Sequence, residues 1–483
     1  MTIAKAIIRF IFTPALVLII FLTLLAAQEK KQTPWKLEKY TSAQAAGFSK
    51  TKLEEARAYY LSGSDTAGGG LVIIYKSKVL AEWGDYSKNI NMHSARKSLL
   101  SALYGIYVDR GYIDLELTID ELGIDDEPPL TEAEKQAKMI HLLKARSGIY
   151  HAAAAETQEM RDARPPRGSH APDTFWYYNN WDFNALGTIF IQETGEDIFE
   201  AFDTDIARLI GMEDFSTDFC QYNYEYQYSI HPQYAFRMSA RDRARFGLLF
   251  IQNGRWGEAQ IVPSSWVKES TRSYSDASSE LPHAGYGYMW WVLPKEAFAS
   301  VGVQYMGTYY CYLAAGYGGQ DIFVIPEADM VVAFAVDTDR NMDMSMEFGV
   351  TTIEMLFAAK EFEINDLAVL KIRSNKKKFS PGEAIKLSAK VRNLSRDTSE
   401  TSTVEFYLSK DRTFDKHDTF IGEATLKQIK AGKKTAARVK SSNTSALSPG
   451  GYYIIAVVDK QDKNSDPHFD NNTSHSAKKI RVR

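Results

Sequence analysis

Apolar residues run unbroken through Leu71-Val72-Ile73-Ile74-Tyr75, and the stretch from Gly70 to Asp85 predicts a β-hairpin with that run as its first strand. Directly afterwards Leu99, Leu100, Leu103, Ile106 and Tyr107 recur at helical spacing, so a helix starts near Ser94 and ends at Asp109-Arg110-Gly111. A short amphipathic helix over Leu53 to Leu61 precedes the hairpin, and Ile140 to Gly148 reads as a helix running into a turn. Ala152 to Asp173 is polar, rich in Arg and Pro, and without period; a loop this long inside a domain is expected to wall a cleft. Helices follow up to Glu193-Thr194-Gly195 and, capped by Ser239, up to Asn253-Gly254. Tyr286 to Val292, Tyr309 to Leu313, Asp321 to Pro326 and Met330 to Val336 read as strands. Strands at both ends with helices between them predict an α+β domain, an antiparallel sheet flanked by helices, over residues 38–360.

Past Lys360 the texture changes to short alternating strands, beginning at Asp366 and including Ala384–Val391, Ser402–Leu408, Phe420–Leu426, Ala436–Val439 and Tyr452–Val458. Turn signals such as Ser380-Pro381-Gly382 and Ser448-Pro449-Gly450-Gly451 separate them, which predicts a second domain, an all-β immunoglobulin-like sandwich, over 366–483. At the other end, Lys5 and Arg9 precede an apolar run from Phe10 to Ala27. Residues 1–28 therefore read as an export signal or an N-terminal membrane anchor, and either places the rest outside the cytoplasm, in a periplasm or at a cell surface.

Composition narrows this little: 45% hydrophobic and 24% charged residues describe folded material in a 483-residue chain long enough for two domains. A net charge of −4 argues against a general nucleic-acid binder. The charge is uneven, with 24 basic and 13 acidic residues from Asp366 onwards, so the C-terminal domain can lean on an anionic polymer or lipid surface, or on a cell-envelope polymer or protein, although scattered Lys on a sandwich usually only keeps it soluble. Cys220 and Cys311 either pair or stay as two buried thiols; no zinc spacing can be built from them. Asp411, Asp415 and Asp418, or Asp466 with Asp470, are candidate calcium ligands, although acidic turns mostly face solvent. No metal or phosphate-cradling motif appears, so no cofactor is implied.

The candidate chemistry sits at the start of the first strongly apolar helix. Ser94 and Lys97 lie three apart, on one helix face, with a hydroxyl among unpaired backbone N–H groups and an amine whose pKa falls if it is buried. Ser-x-x-Lys recurs at Ser49, Ser265, Ser374 and Ser476, but only Ser94 follows a strand pair and opens an apolar helix. The aromatic group Trp176, Tyr177, Trp181, Tyr222, Tyr224, Tyr226 and Tyr228 either lines a cleft or packs the core, and His151, His170 and His231 are loop positions able to meet a substrate.

Ser94-x-x-Lys97, Tyr178-Asn179-Asn180 leading to Asn184-x-Leu186-Gly187, and the Gly-rich turn before a terminal hairpin resemble, in that order, the serine β-lactamase-like hydrolases, which include class C β-lactamases, DD-peptidases, esterases and 6-aminohexanoate-dimer hydrolases. The resemblance implies Ser94 as nucleophile, Lys97 as its activator and Tyr178, or in a shifted register Tyr177, as general base. It also implies Asn180 orienting Lys97 or the substrate. A phenol beside two cations is expected to have a lowered pKa. The third motif departs from the family: Leu313-Ala314-Ala315-Gly316-Tyr317-Gly318 holds no cation where β-lactamases and DD-peptidases carry Lys or His. That counts against carboxylate-bearing substrates and toward the esterase and oligomer-hydrolase branches. A backbone N–H at Ala315 or Gly316 can still pair with that of Ser94 as an oxyanion hole, and Gly318 leaves room beside it. The expected activity is hydrolysis of an ester or amide through an acyl-enzyme, with a DD-carboxypeptidase or β-lactamase, and a silent envelope-binding protein, as the other readings. Ser380-Pro381-Gly382, Phe406 to Asp411, Gly450 to Tyr453 and Asp470-Asn471-Asn472 resemble a bacterial adhesion-related immunoglobulin-like (CARDB-like) module.

Overall fold

The computed structural model describes residues 37–63, 68–299, 303–360, 367–395, 398–430, 432–460 and 469–483. The segment 1–28 read as a signal or anchor lies outside them. Contacts divide the described residues into two units, one holding 37–41 with Glu54–Phe357 and the other Ser42–Leu53 with the described residues from Ala358 to Arg483.

The first unit is built on an eight-stranded antiparallel sheet. Its strands are β1 (Gly70–Tyr75), β2 (Lys78–Gly84), β3 (Ser275–Asp276), β4 (Gly285–Tyr286), β5 (Trp291–Leu293), β6 (Cys311–Ala314), β7 (Ile322–Ile325) and β8 (Met330–Ala335), in the spatial order β2-β1-β8-β7-β6-β5-β4-β3. β1 and β8 are buried at every residue, as their unbroken Val/Ile/Leu runs require of central strands with both faces covered. Gly70 pairs with Ala335 and Tyr75 with Met330, so the first and last strands of the unit lie side by side. Tyr286 to Val292 is not one strand. The chain reverses at Gly287–Trp290, where Gly287 N–H donates to Trp290 O and Met289 takes φ 59°, and β4 and β5 pair antiparallel. Alternating aromatic residues on both arms of a tight hairpin imitate a single strand in sequence.

Three helices position the chemistry of this unit: α1 (Arg96–Asp109), α2 (Asn180–Thr194) and α3 (Ala240–Ile251). α1 is buried from Arg96 through Tyr107, charged residues included. Asn179 caps α2 by accepting from Trp181 N–H, Gly195 ends it in the left-handed conformation, and Ser239 caps α3 by accepting from Asp242 N–H. α3 packs so closely on the sheet that a Cβ at Gly247 would stand 2.5 Å from Val331 Cγ1.

The second unit is a two-sheet sandwich, with β9 (Leu367–Ser374), β10 (Lys378–Phe379), β11 (Ile385–Asn393), β12 (Ser402–Ser409), β13 (Thr419–Leu426), β14 (Lys434–Ser441), β15 (Gly450–Val458), β16 (Thr473–His475) and β17 (Ile480–Val482). One sheet runs β9-β11-β14 and the other β10-β17-β15-β12-β13, with β16 also on β15. Alternate residues of β11 (Ile385, Leu387, Ala389, Val391) face a core shared with Val404, Phe406, Ile454 and Ala456.

Cys220 and Cys311 are both free thiols. In the acidic loop, Asp411 accepts from Thr413 N–H and Asp415 from His417 N–H, while Asp418 accepts from Asp415 N–H. Among the described residues no group of three or more His, Cys, Asp or Glu side chains is placed to hold a metal. Asp466 lies outside the described residues, as does the side chain of Asp470. Among the described residues, too, no helix is long and apolar enough to cross a membrane.

Candidate active site

Ser94 stands in a tight turn, His93–Ala95, at the foot of α1. The turn is strained, with His93 at φ 46°, and it is pinned from several sides. Asn91 Oδ1 accepts from His93 N–H at 3.0 Å, His93 Nε2 meets Thr338 Oγ1 at 2.9 Å, and Met92 N–H donates to Phe236 O. Arg243, buried on α3, clamps the same region. It donates to Met238 O at 3.1 Å, Ile90 O at 2.9 Å, Phe334 O at 2.7 Å and Gln320 Oε1 at 2.7 Å. Gly316 closes the other side: a Cβ there would lie 2.3 Å from Met92 O and 3.0 Å from Ala95 N, so no side chain fits between the end of β6 and the turn.

One turn up α1, Lys97 is 1% exposed, and its Nζ lies 3.0 Å from Ser94 Oγ and 2.6 Å from Tyr178 Oη. It donates to Asn180 Oδ1 at 2.8 Å. The Ser94 hydroxyl also hydrogen-bonds Tyr178. Tyr178 is held by aromatic packing, its ring stacked on Trp291 at 5.4 Å and 5.1 Å from Phe183. The alternative register is removed by geometry, because Tyr177 turns its hydroxyl to Met160 O at 2.8 Å. Asn180 is fixed in turn by donating from Nδ2 to Ala155 O at 2.8 Å, and Asn184 likewise to Ala154 O at 3.1 Å. The long polar loop therefore supplies two carbonyls that orient the asparagines of α2.

Electrostatics correct one expectation. Burial pushes the Tyr178 phenol up to about 12, outweighing the Ser94 hydrogen bond and Arg96, which favour the anion. Lys97 moves the other way, held well below the usual amine value first by burial and then by the neighbouring Arg96. A lowered amine pKa weakens the cation that was to stabilise a phenolate. Arg96 is the standing charge beside the pair; it donates to His93 O at 3.1 Å and Asn184 Oδ1 at 3.3 Å and lies over Tyr234 at 4.8 Å.

A cleft of about 380 Å³ opens at Ser94 and Tyr178, bounded by Thr157 and Met160 of the loop, Trp291, and Ala315 to Gly319. Gly318, at φ 76°, could not carry a side chain without meeting Thr338 at 2.4 Å. Ala315 and Gly316 both stand at this edge as positions for a second oxyanion donor, and the Gly316 N–H also favours the Asp321 carboxylate. Among the described residues the cleft is lined by Glu280 and Asp321 and by no Lys, Arg or His. Asp321 is pushed up to about 7, chiefly by burial, against the Gly316 N–H and Arg243. The aromatic run from Trp176 to Tyr228 contributes only Tyr178 to this lining. Trp181 instead donates to Asp126 in the core, and Tyr222 donates to Asp197. His151 and His231 are buried on backbone carbonyls, and His170 stacks on Phe175, so none of the three reaches the cleft. Arg96, Arg243, Glu280 and Asp321 do not stand out in the sequence; the one available signal is a charged residue on an otherwise apolar helix face, at Arg96 and Arg243.

Comparison with known proteins follows the same division. Residues 364–476 match the family described as CARDB. No curated protein matches the chain. Among solved structures, the chain is similar to a family VIII carboxylesterase (16% identity, 64% of this chain and 97% of that one, TM-score 0.48). It is similar also to an octameric penicillin-binding protein homologue from Pyrococcus abyssi (16%, 81% and 99%, 0.47) and a penicillin-binding protein from Bacillus halodurans (13%, 63% and 99%, 0.45). Residues 64–348, more than half of the sequence and the whole sheet with its three helices, match the family described as Beta-lactamase, and the chain belongs to that family.

Proposed function

We propose that the protein is an exported serine hydrolase that cleaves an ester or amide through an acyl-enzyme on Ser94. The observation that carries this reading is the placement of one desolvated amine, Lys97, within hydrogen-bonding range of both the Ser94 and Tyr178 hydroxyls. The reaction starts from sites in which the amine is neutral, a form that burial favours, and the phenol protonated. The Ser94 proton passes to Tyr178 as the Tyr178 proton passes to Lys97, and Oγ bonds to the carbonyl carbon. The N–H groups of Ser94 and of Ala315 or Gly316 receive the oxyanion. Collapse breaks the bond to the leaving group, which takes a proton back along the same relay, and water repeats the sequence to free the acid. The apolar run Phe10–Ala27 supports export. A chromogenic short-chain ester should give a burst followed by turnover, and a fluorophosphonate should add to Ser94, located by mass spectrometry. No burst, no turnover and no adduct would leave only a binding protein.

The proton inventory sets the pH profile. Lys97 must be unprotonated, so kcat/KM rises with pH through its depressed pKa and is then flat. Because the phenol holds its proton up to about 12, the plateau should persist past pH 10, where an unperturbed tyrosine ionises. A rate that keeps climbing through that range would instead make the Tyr178 phenolate the base.

Charge in the cleft sets the substrate. Glu280 lines the cleft and, among the described residues, no cation does, so a carboxylate-bearing substrate would find no partner there, which supports neutral or amine-bearing substrates. In matched aryl esters, a carboxylate on the acyl chain should lower kcat/KM by about tenfold or more relative to an uncharged chain. Glu280→Lys should shrink that difference; an unchanged ratio would remove Glu280 from the argument.

A further inference from the structure

The open face of the β9-β11-β14 sheet is cationic throughout. In register across the strands, Lys386 stands opposite Lys440, Lys371 opposite Lys390, Arg392 opposite Lys434, and Arg373 and Arg438 flank Ser388. The three strands contain no Asp or Glu. Like charges placed directly opposite one another destabilise a sheet, and among the described residues none of these eight makes an ion pair, although Lys376 with Glu383 and Lys460 with Glu405 do so nearby. Surfaces that merely keep a domain soluble intersperse both signs. With strands about 4.8 Å apart and same-face residues about 7 Å apart along each, the eight charges occupy a flat area of roughly 20 by 10 Å. At one end Arg373, Lys386, Arg438 and Lys440 border a hollow of about 440 Å³ with no carboxylate in its lining. At the other end Leu370 and Leu394 are 45% and 44% exposed.

We infer that this face docks on the surface of a bilayer containing anionic phospholipid, with headgroup phosphate seated in the hollow. A planar array of one sign complements a planar surface of the other, and each Lys or Arg brought to such a surface adds to the attraction within a Debye length. Exposed leucines beside the cations distinguish this from a site for a soluble polyanion, which offers apolar side chains nothing. The consequence is a hydrolase held against the lipid by its second domain, independently of the chemistry at Ser94.

The test uses the full chain with two vesicle compositions, phosphatidylcholine alone and an equal mixture with phosphatidylglycerol. Any insertion of the Phe10–Ala27 run contributes to both and sets the baseline. At about 0.1 M salt the partition coefficient should be about a hundredfold higher on the anionic vesicles and should fall as salt rises. The variant R373Q/K386Q/R438Q/K440Q should lose this preference while keeping its thermal transition and ester hydrolysis. If the quadruple variant loses its transition, K386Q and K440Q singly should each lower the preference several-fold. Equal partition of the wild type on both compositions overturns the inference, as does a preference that survives the substitutions. Tighter binding to inorganic polyphosphate or duplex DNA than to the anionic vesicles, at equal phosphate, assigns the face to a soluble polyanion and overturns it too.

Discussion

Ser94→Ala should abolish the burst and the fluorophosphonate adduct together and lower kcat by about four orders of magnitude or more, the scale seen when a nucleophile is removed. The size follows from how little else in the cleft can attack a carbonyl. Tyr178 is protonated up to about 12 and Lys97 is buried behind the serine. Lys97→Met should cost about a thousandfold and, more tellingly, should remove the part of the acid limb that Lys97 sets in the pH profile. Tyr178→Phe should lower kcat by about a hundredfold or more, whereas Tyr177→Phe, which loses only a bond to Met160 O, should stay within about threefold of the wild type. Steady-state kinetics and burst amplitudes on one ester measure all four. Substantial turnover by the Ser94 variant, or equal losses at the two tyrosines, would refute the proposed chemistry.

The largest stability effect is expected at Arg243. Its guanidinium is fully buried and donates to three backbone carbonyls from different segments, Met238 O, Ile90 O and Phe334 O, and to the Gln320 side chain. Arg243→Ala leaves all of these acceptors in the core without donors and opens a cavity. The cost should be about 3–5 kcal/mol, a drop in Tm of order 10 °C for a unit this size. Arg243→Lys should recover little, since a single ammonium cannot span acceptors that the fork reaches at once. Activity should fall beyond what unfolding explains, because Ile90 leads directly into the turn that presents Ser94. Calorimetry and residual kcat on the folded fraction separate the two effects; an Arg243→Ala protein as stable as the wild type would show that the clamp contributes nothing.

The hairpin Gly70–Gly84, the helix behind Ser94 and the six long strands of the second unit are legible in the sequence because their apolar period is clean over enough residues. The meeting of Ser94, Lys97, Tyr178 and Asn180 is legible only through the order of three motifs; no period in the chain brings Tyr178 to Lys97. The Tyr286–Val292 hairpin passes for one strand because aromatic alternation continues across its turn. The protonation states escape the sequence for a deeper reason: it names the charges around a phenol but not the phenol's distance from water, and here desolvation decides the sign. The cationic sheet face is half visible. Composition shows the excess of Lys and Arg, but the absence of any acid on that face emerges only once the strands are paired in register.

The adjacency of β1 and β8 has a consequence for how the chain is made. During synthesis the Gly70–Tyr75 strand leaves the ribosome long before its partner Met330–Ala335, and the hydrogen-bonding edge they share stays unmatched until then. Closure of the central sheet therefore waits until nearly all of the first unit has been made. In the interval that open edge is a template for edge-to-edge pairing with other chains.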